Sequence, residues 1–278
     1  MRFVDSFLDG VRRLEEIVHQ ARIEGDVAEI DAKGLKHKEL NDLMRFCVER
    51  GAKKLILKNV CGQRYIGTRL FFNPGVKVEI IIYGTPGNDL GAFLAGHRIV
   101  VYGNAQDGVG NTMDDGEIIV HGRAGDVVAM AMRGGKIFIR DSVGYRTAIH
   151  MKEYMDRVPL LVVGGTAQDF LGEYMAGGRV VLLGLNLENG RHRCHYIGTG
   201  MHGGVIYLRG KVEKYQLGKE VGVVEMEEED WKFLEKVVDE FCGYFGREIK
   251  MERDEILGGN FMKLIPVTKR PYGKVYSY

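Results

Sequence analysis

The chain has 278 residues and a net charge of +1, from 39 lysines and arginines against 38 aspartates and glutamates. That length holds a full core in one or two domains; the balanced charge, with no long basic run, argues against nucleic acid or an acidic membrane surface as a partner. The longest apolar stretches, such as VPLLVV at 158–163, fall far short of a membrane span of about 20 residues, and four scattered cysteines (Cys47, Cys61, Cys194, Cys242) without a CxxC pair point to a reducing cytoplasm.

In chain order, residues 1–20 read as an amphipathic helix with Phe3, Phe7, Val11, Leu14 and Val18 on one face. Asp5 and Asp9 interrupt the segment that a signal peptide keeps apolar. Residues 27–60 alternate strand, helix and strand: VAEIDA, LKHKELNDLMRFCVERG and AKKLILKNV. Residues 1–59 are thus expected to form a helix and an α/β cap, covering a strand edge that would otherwise invite aggregation.

From 60 to 210 the sequence repeats. Gly84, Gly103 and Gly122 close short apolar runs 19 residues apart; Asp141 keeps the register, Gly165 and Gly184 are again 19 apart, and Gly210 closes the last run. Counting each of these as zero, position seven is small (Gly91, Gly110, Ala129, Ala148, Gly172). Position ten is Leu94, Met113, Met132, Met151 or Met175, a series continued beyond an insertion by Met201. Gly116, Gly135 and Gly178 stand at position thirteen, and the six residues before the next zero are strand-like: EIIVHG, KIFIRD, RVVLLG and VIYLRG.

A period near 20 marks stacked units that share one core. Each unit reads as one strand, two glycine-marked bends and a second extended piece. The methionines fill the interior and the small residues mark close backbone approach. The expected fold class is all-β, a single-stranded parallel β-helix of about seven coils, counting a degenerate first unit with Gly67 and Leu70. The period breaks twice, by about five residues around KEYMDRVP and about seven in LNLENGRHRCHYIGTG; loops that leave a stack often form its partner surface. Residues 211–278 read as a C-terminal extension: a helix over 227–246 with Trp231, Leu234, Val238 and Phe241 on one face, then a tail.

Candidate chemistry is sparse. The row Asn88, Asp107, Asp126 and Asp169 suggests a cation site. Like charges about 4.8 Å apart, however, repel by roughly 0.9 kcal/mol in water and roughly four times that at a dielectric near 20. The better reading has each side chain accepting backbone N–H groups at a tight bend. Gly198-Thr-Gly-Met-His-Gly203 spells GxGxxG, yet a strand follows, so no helix N-terminus awaits a phosphate. His192, Cys194 and His195 are too crowded for one zinc tetrahedron. His150 and His202 flank interior methionines and read as exterior positions. Asp107, Asp114 and Asp115 bring to mind polysaccharide-cleaving β-helices, but paired acids there flank one bond about 5–9 Å apart, whereas neighbours at a bend splay. No catalytic, cofactor-binding or metal residue is assigned.

Several blocks, in order and spacing, resemble a known domain: Gly103-Asn-Ala-Gln-Asp107, Gly134-Gly135, Gly144-Tyr-Arg146, Ile149-His-Met-Lys-Glu-Tyr154, Gly172-Glu-Tyr-Met175-Ala-Gly-Gly178 and Gly198-Thr-Gly-Met-His-Gly-Gly204. They look like the GXGXG domain, the C-terminal β-helix of the glutamate synthase large subunit, and cover about 60–210. Phe261-Met-Lys-Leu-Ile-Pro266 is a fainter echo of that subunit's end. The stand-alone form of archaeal-type split enzymes is the nearest match, and the β-helical subunit of formylmethanofuran dehydrogenase is similar.

The resemblance implies a right-handed β-helix without an active site of its own. FMN, the iron–sulfur cluster and the catalytic cysteine would belong to amidotransferase and synthase subunits bound in trans. The expected role is a non-catalytic assembly subunit that contributes to transfer of glutamine amide nitrogen to 2-oxoglutarate only in the complex, with a homo-oligomer left open. Expected partner contacts are Lys152, Glu153, Tyr154 and Arg157 in the first insertion and Arg191, His192 and His195 in the second. The alternatives are a scaffold like the β-helical subunit of formylmethanofuran dehydrogenase and an independent carbohydrate-active β-helix.

Overall fold

The computed structural model describes residues 14–68, 70 and 76–267. Most of the expected N-terminal helix therefore lies outside the described residues. Of its apolar face only Leu14 and Val18 fall within them, residues 14–17 being helical and Val18–Gln20 a 3-10 turn. The end of the tail, 268–278, is also outside.

Twelve strands form one sheet: β1 (Ala21–Glu24), β2 (Val27–Asp31), β3 (Lys54–Cys61), β4 (Glu79–Thr85), β5 (Ala95–Tyr102), β6 (Asp115–Val120), β7 (Lys136–Ile139), β8 (Leu160–Val163), β9 (Ala176–Leu182), β10 (Gly203–Arg209), β11 (Val221–Val224) and β12 (Phe261–Pro266). From β2 to β10 every strand pairs in parallel with the next. At one end β1 adds antiparallel to β2; at the other, β12 returns antiparallel between β10 and β11. Among the described residues, besides the helical residues 14–17, the sheet is accompanied by α1 (His37–Glu49), α2 (Glu228–Phe245) and α3 (Arg253–Leu257).

This corrects the expected fold class. In place of an all-β, right-handed β-helix, the chain forms a mixed, mostly parallel twelve-stranded sheet with helices packed against it. The reason lies in the strands, which are apolar on both faces and so need cover on both. Val100, Ile119, Phe138, Val162 and Val181 turn outward and are buried with Leu234, Val237, Val238, Phe241 and Phe245 of α2. Trp231, expected on that helix face, is 37% exposed. β3 spans residues 59 and 60, and its pairing with β4 shifts register between Leu57 and Val60.

On the inner face Ile80, Ile99, Ile118, Ile137, Leu161, Val180 and Ile206 lie in one register. The partners are 19 residues apart except across β7–β8 and β9–β10, so the extra residues leave the stack at those two crossings. Behind this row sit Leu94, Met113, Met132, Met151, Met175 and Met201, all buried in the main core. Gly84, Gly103, Gly122, Gly165, Gly184 and Gly210 stand where backbones nearly touch. A Cβ on Gly122 would lie 2.5 Å from the Gly103 carbonyl oxygen, and one on Gly184 2.8 Å from that of Arg209.

The expected second extended piece of each unit proves to be a run of turns with alternating φ. Positive φ recurs at Asp89, Gly91 and Phe93; at Gly108, Gly110 and Thr112; at Val127, Ala129 and Ala131; at Arg146, Ala148 and His150; and at Phe170, Gly172 and Tyr174. Alternate N–H groups bond to the next and the previous unit: Asp89 N donates to Asp107 O (2.8 Å), Gly91 N to Ile66 O (2.9 Å) and Phe93 N to Asn111 O (2.9 Å). The backbone is thereby paired in a second ladder without β dihedrals. Glycines at alternate positions, as in Gly108-Val-Gly110 and Gly198-Thr-Gly200, fit this geometry because they take left-handed φ at little steric cost.

Candidate functional site

The aspartate row resolves into backbone ties. Asp107 Oδ1 accepts the Asp126 N–H and Asp126 Oδ1 the Tyr145 N–H, each at 2.9 Å; Asp169 Oδ1 accepts the His195 N–H at 2.8 Å. Asn104 does the same for Arg123 at 3.0 Å. The donor lies one unit on rather than in the same bend, so the carboxylates bind unit to unit. Asp107→Ala is expected to lower stability by about 1 kcal/mol, the net value of one such bond, read as a shift in the urea midpoint. An unchanged midpoint would mean that water replaces the bond in full.

The GxGxxG stretch places Gly198 and Gly200 at left-handed φ and runs straight into β10. The histidine–cysteine group is spread apart. His192 is buried, with Nε2 donating to the Arg209 carbonyl at 3.0 Å. Desolvation holds its pKa below the ordinary histidine value, partly opposed by that bond. Cys194 is buried and its thiol is pushed up to about 12, chiefly by desolvation, which keeps it from serving as a nucleophile. His195 faces outward 3.5 Å from Asp169. Among the described residues no three His, Cys, Asp or Glu side chains converge as metal ligands would. Asp114 is engaged by Arg133 at 2.9 Å.

The two insertions differ in what they present. In the first, Lys152 and Glu153 are exposed, though Glu153 Oε1 also accepts the Gly178 N–H at 3.0 Å. Tyr154 and Arg157 form a bridge across a tight turn with Met155 at its exposed tip, and Arg157 donates to the Asp114 carbonyl at 3.2 Å. In the second, Arg191 pairs with Glu213 at 3.2 Å, while His192 turns inward beneath Gln216, whose amide donates to the carbonyls of His192 and Cys194. His195 lies 6.0 Å from the ring of Tyr215, itself largely exposed.

Sequence reasoning placed His150 on the exterior, where it is exposed, but missed the ring pairs on the turn ladder. Phe170 stacks on Tyr196 at 4.8 Å and His150 on Tyr174 at 5.4 Å, with Arg146 over Phe170 and paired to the buried Glu173 at 3.0 Å. Their common signal was a place at position five or nine of the repeat, which is legible only once φ is known. Also missed was Asp230, joined to Tyr207 and Lys263 under the start of α2.

Stacked units whose recurring glycines and acids serve the backbone define a repeat protein that presents loops and rings outward. More particularly, the chain belongs to the GXGXG motif family, which matches residues 45–267, a wider span than the glycine blocks alone. It is 46% identical over 253 residues to the uncharacterized protein MJ1350 of Methanocaldococcus jannaschii, covering 89% of this chain and 95% of that one. No helix among the described residues is long and apolar enough to cross a membrane.

Proposed function

We propose that this chain is the assembly subunit of a split glutamate synthase. It holds an amidotransferase subunit together with a synthase subunit that bears FMN and an iron–sulfur cluster, so that glutamine amide nitrogen passes to 2-oxoglutarate in the cytoplasm. Family membership across residues 45–267 carries the glutamate synthase-related reading. The assembly role is supported by the fate of the motif residues, since the Asp107 and Asp126 carboxylates and the alternating glycines are engaged in unit-to-unit geometry.

The surfaces offered to partners are the two insertions: Lys152, Glu153, Tyr154 and Arg157 at one crossing, Arg191 and His195 at the other. His192 contributes by shaping the second loop from within. Co-expressed with the amidotransferase and synthase chains of its own genome, the tagged protein is expected to retain both through purification. Lys152→Glu combined with Arg191→Glu should weaken retention of at least one of them. Recovery of the tagged chain alone would contradict the proposal, and recovery with a molybdopterin enzyme would move the role to a formylmethanofuran dehydrogenase-like complex.

A further inference from the structure

We propose that the free edge of β11 pairs antiparallel with the same edge of a second copy of this chain, across a two-fold axis at Gly222. The sheet has two terminal strands, β1 and β11. An exposed strand edge is a template for another chain unless it is blunted. β1 is blunted, since its exposed Arg22 and Glu24 form an ion pair. β11 is not, because Val-Gly-Val-Val at 221–224 carries no charge and no proline. Val223 is 51% exposed on this strand, and Val267, which occupies the space beside Gly222, is 55% exposed.

Backbone hydrogen bonds fix which groups of β11 face out. Glu220 O accepts the Val267 N–H at 2.7 Å, on the β12 side, whereas the Val221 N–H turns away to Gly218 O at 3.2 Å. In an antiparallel ladder a residue's N–H and C=O point the same way, and successive residues alternate. Residues 222 and 224 therefore face β12, while 221, 223 and 225 present N–H and C=O groups to the open edge. Among the described residues no strand takes them up.

That alternation allows a two-fold axis at a residue but not between two residues. With the axis at Val221, Val223 faces Lys219 of the second copy; with the axis at Val223, Val221 faces its Glu225. At Gly222 every pairing is favourable. Val221 faces Val223 in both directions, Lys219 faces Glu225, and the two central glycines permit close approach. Lys219 and Glu225 are exposed and form no ion pair among the described residues, so the pairing brings each its counter-charge. An edge complementary to itself in one register favours a second copy over an unrelated strand.

Sedimentation velocity of the full chain, loaded from about 1 to 200 µM, tests this and should show a monomer passing into a dimer. Val223→Pro removes an N–H that faces out, so it should abolish the dimer and leave the circular-dichroism spectrum unchanged. Lys219→Glu and Glu225→Lys each set like charges opposite one another and should weaken the dimer by about tenfold or more. The double exchange restores opposite charges in the same register and should return the affinity to within about threefold of the parent. Both charged positions are exposed, so this series reads the interface whatever Val223→Pro does to the fold. The proposal is overturned by a parent chain that stays monomeric up to about 200 µM, by a folded Val223→Pro protein that dimerises with parental affinity, or by a double exchange no tighter than the single ones.

Discussion

Gly110→Val is expected to destabilise the protein by about 3 kcal/mol or more, from left-handed strain and overpacking combined. Gly110 has φ +67°, and a left-handed backbone costs an ordinary L residue about 1–2 kcal/mol, more when it is β-branched. A Cβ there would also fall on the Cδ1 atom of Ile137, which is fully buried. Ile137 has little room to yield, since it is held in register between Ile118 and Leu161. Forcing extra atoms into such a core adds about 1–3 kcal/mol. Thr112→Gly is the matched control: φ is +52° and the side chain is half-buried, so glycine relieves strain and stability should be held within about 0.5 kcal/mol or rise. Urea unfolding of both variants reads the difference. A Gly110→Val protein as stable as the parent would mean that the turn ladder is not the geometry that the alternating glycines serve.

Asp230→Ala is expected to cost about 3 kcal/mol at neutral pH, because it leaves a sequestered ammonium with only the exposed Glu227 carboxylate, 3.8 Å away, as counter-charge. Asp230 Oδ2 accepts the Glu227 N–H at 2.8 Å at the start of α2 and Lys263 Nζ at 2.7 Å from β12, while Oδ1 accepts the Tyr207 hydroxyl at 2.7 Å from β10. One carboxylate thus ties the covering helix to the inserted antiparallel strand and to the last parallel strand. Burial acts to raise its pKa, but the bonds from Lys263, Glu227 N–H and Tyr207 outweigh it, and the carboxyl stays below the usual aspartate value. A depressed folded-state pKa contributes stability that is full above the unfolded pKa near 4 and is lost as pH falls through the folded value. The gap between parent and Asp230→Ala should therefore be widest at pH 7 and narrow progressively in acid below about pH 4. Guanidinium unfolding at several pH values checks this; a gap that is constant with pH would show that the carboxylate's charge is not what holds the junction.

The sequence made much of the strand scaffold legible. The runs EIIVHG, KIFIRD, RVVLLG and VIYLRG overlap β6, β7, β9 and β10, and the helical stretches at 35–51 and 227–246 enclose α1 and α2. Local apolar patterning and β-branched content are enough for that. The class was misread because the repeat was weighed above the ends, although the outward Val100, Ile119 and Phe138 already required a cover, which α2 provides. Nothing local announced that FMKLIP would pair antiparallel between β10 and β11, since the partner Ile206–Arg209 segment is more than 50 residues earlier. The turn ladder was hidden for a different reason. Tyr65, Phe93 and Tyr174 contradict ordinary backbone preference, so propensity argued for extended chain where φ is positive. His192 looked like part of a polar loop in RHRCH and is buried because Arg209 and Gln216 reach it from other segments.

The assembly role is tested most directly by reconstituting glutamine-dependent glutamate formation from the purified amidotransferase and synthase chains, with and without this protein. Coupled turnover is expected to depend on adding this chain and to rise to saturation with it, while the chain alone is colourless and inert. Full coupled activity in its absence, or a flavin or iron–sulfur spectrum intrinsic to the purified chain, would overturn the assembly role.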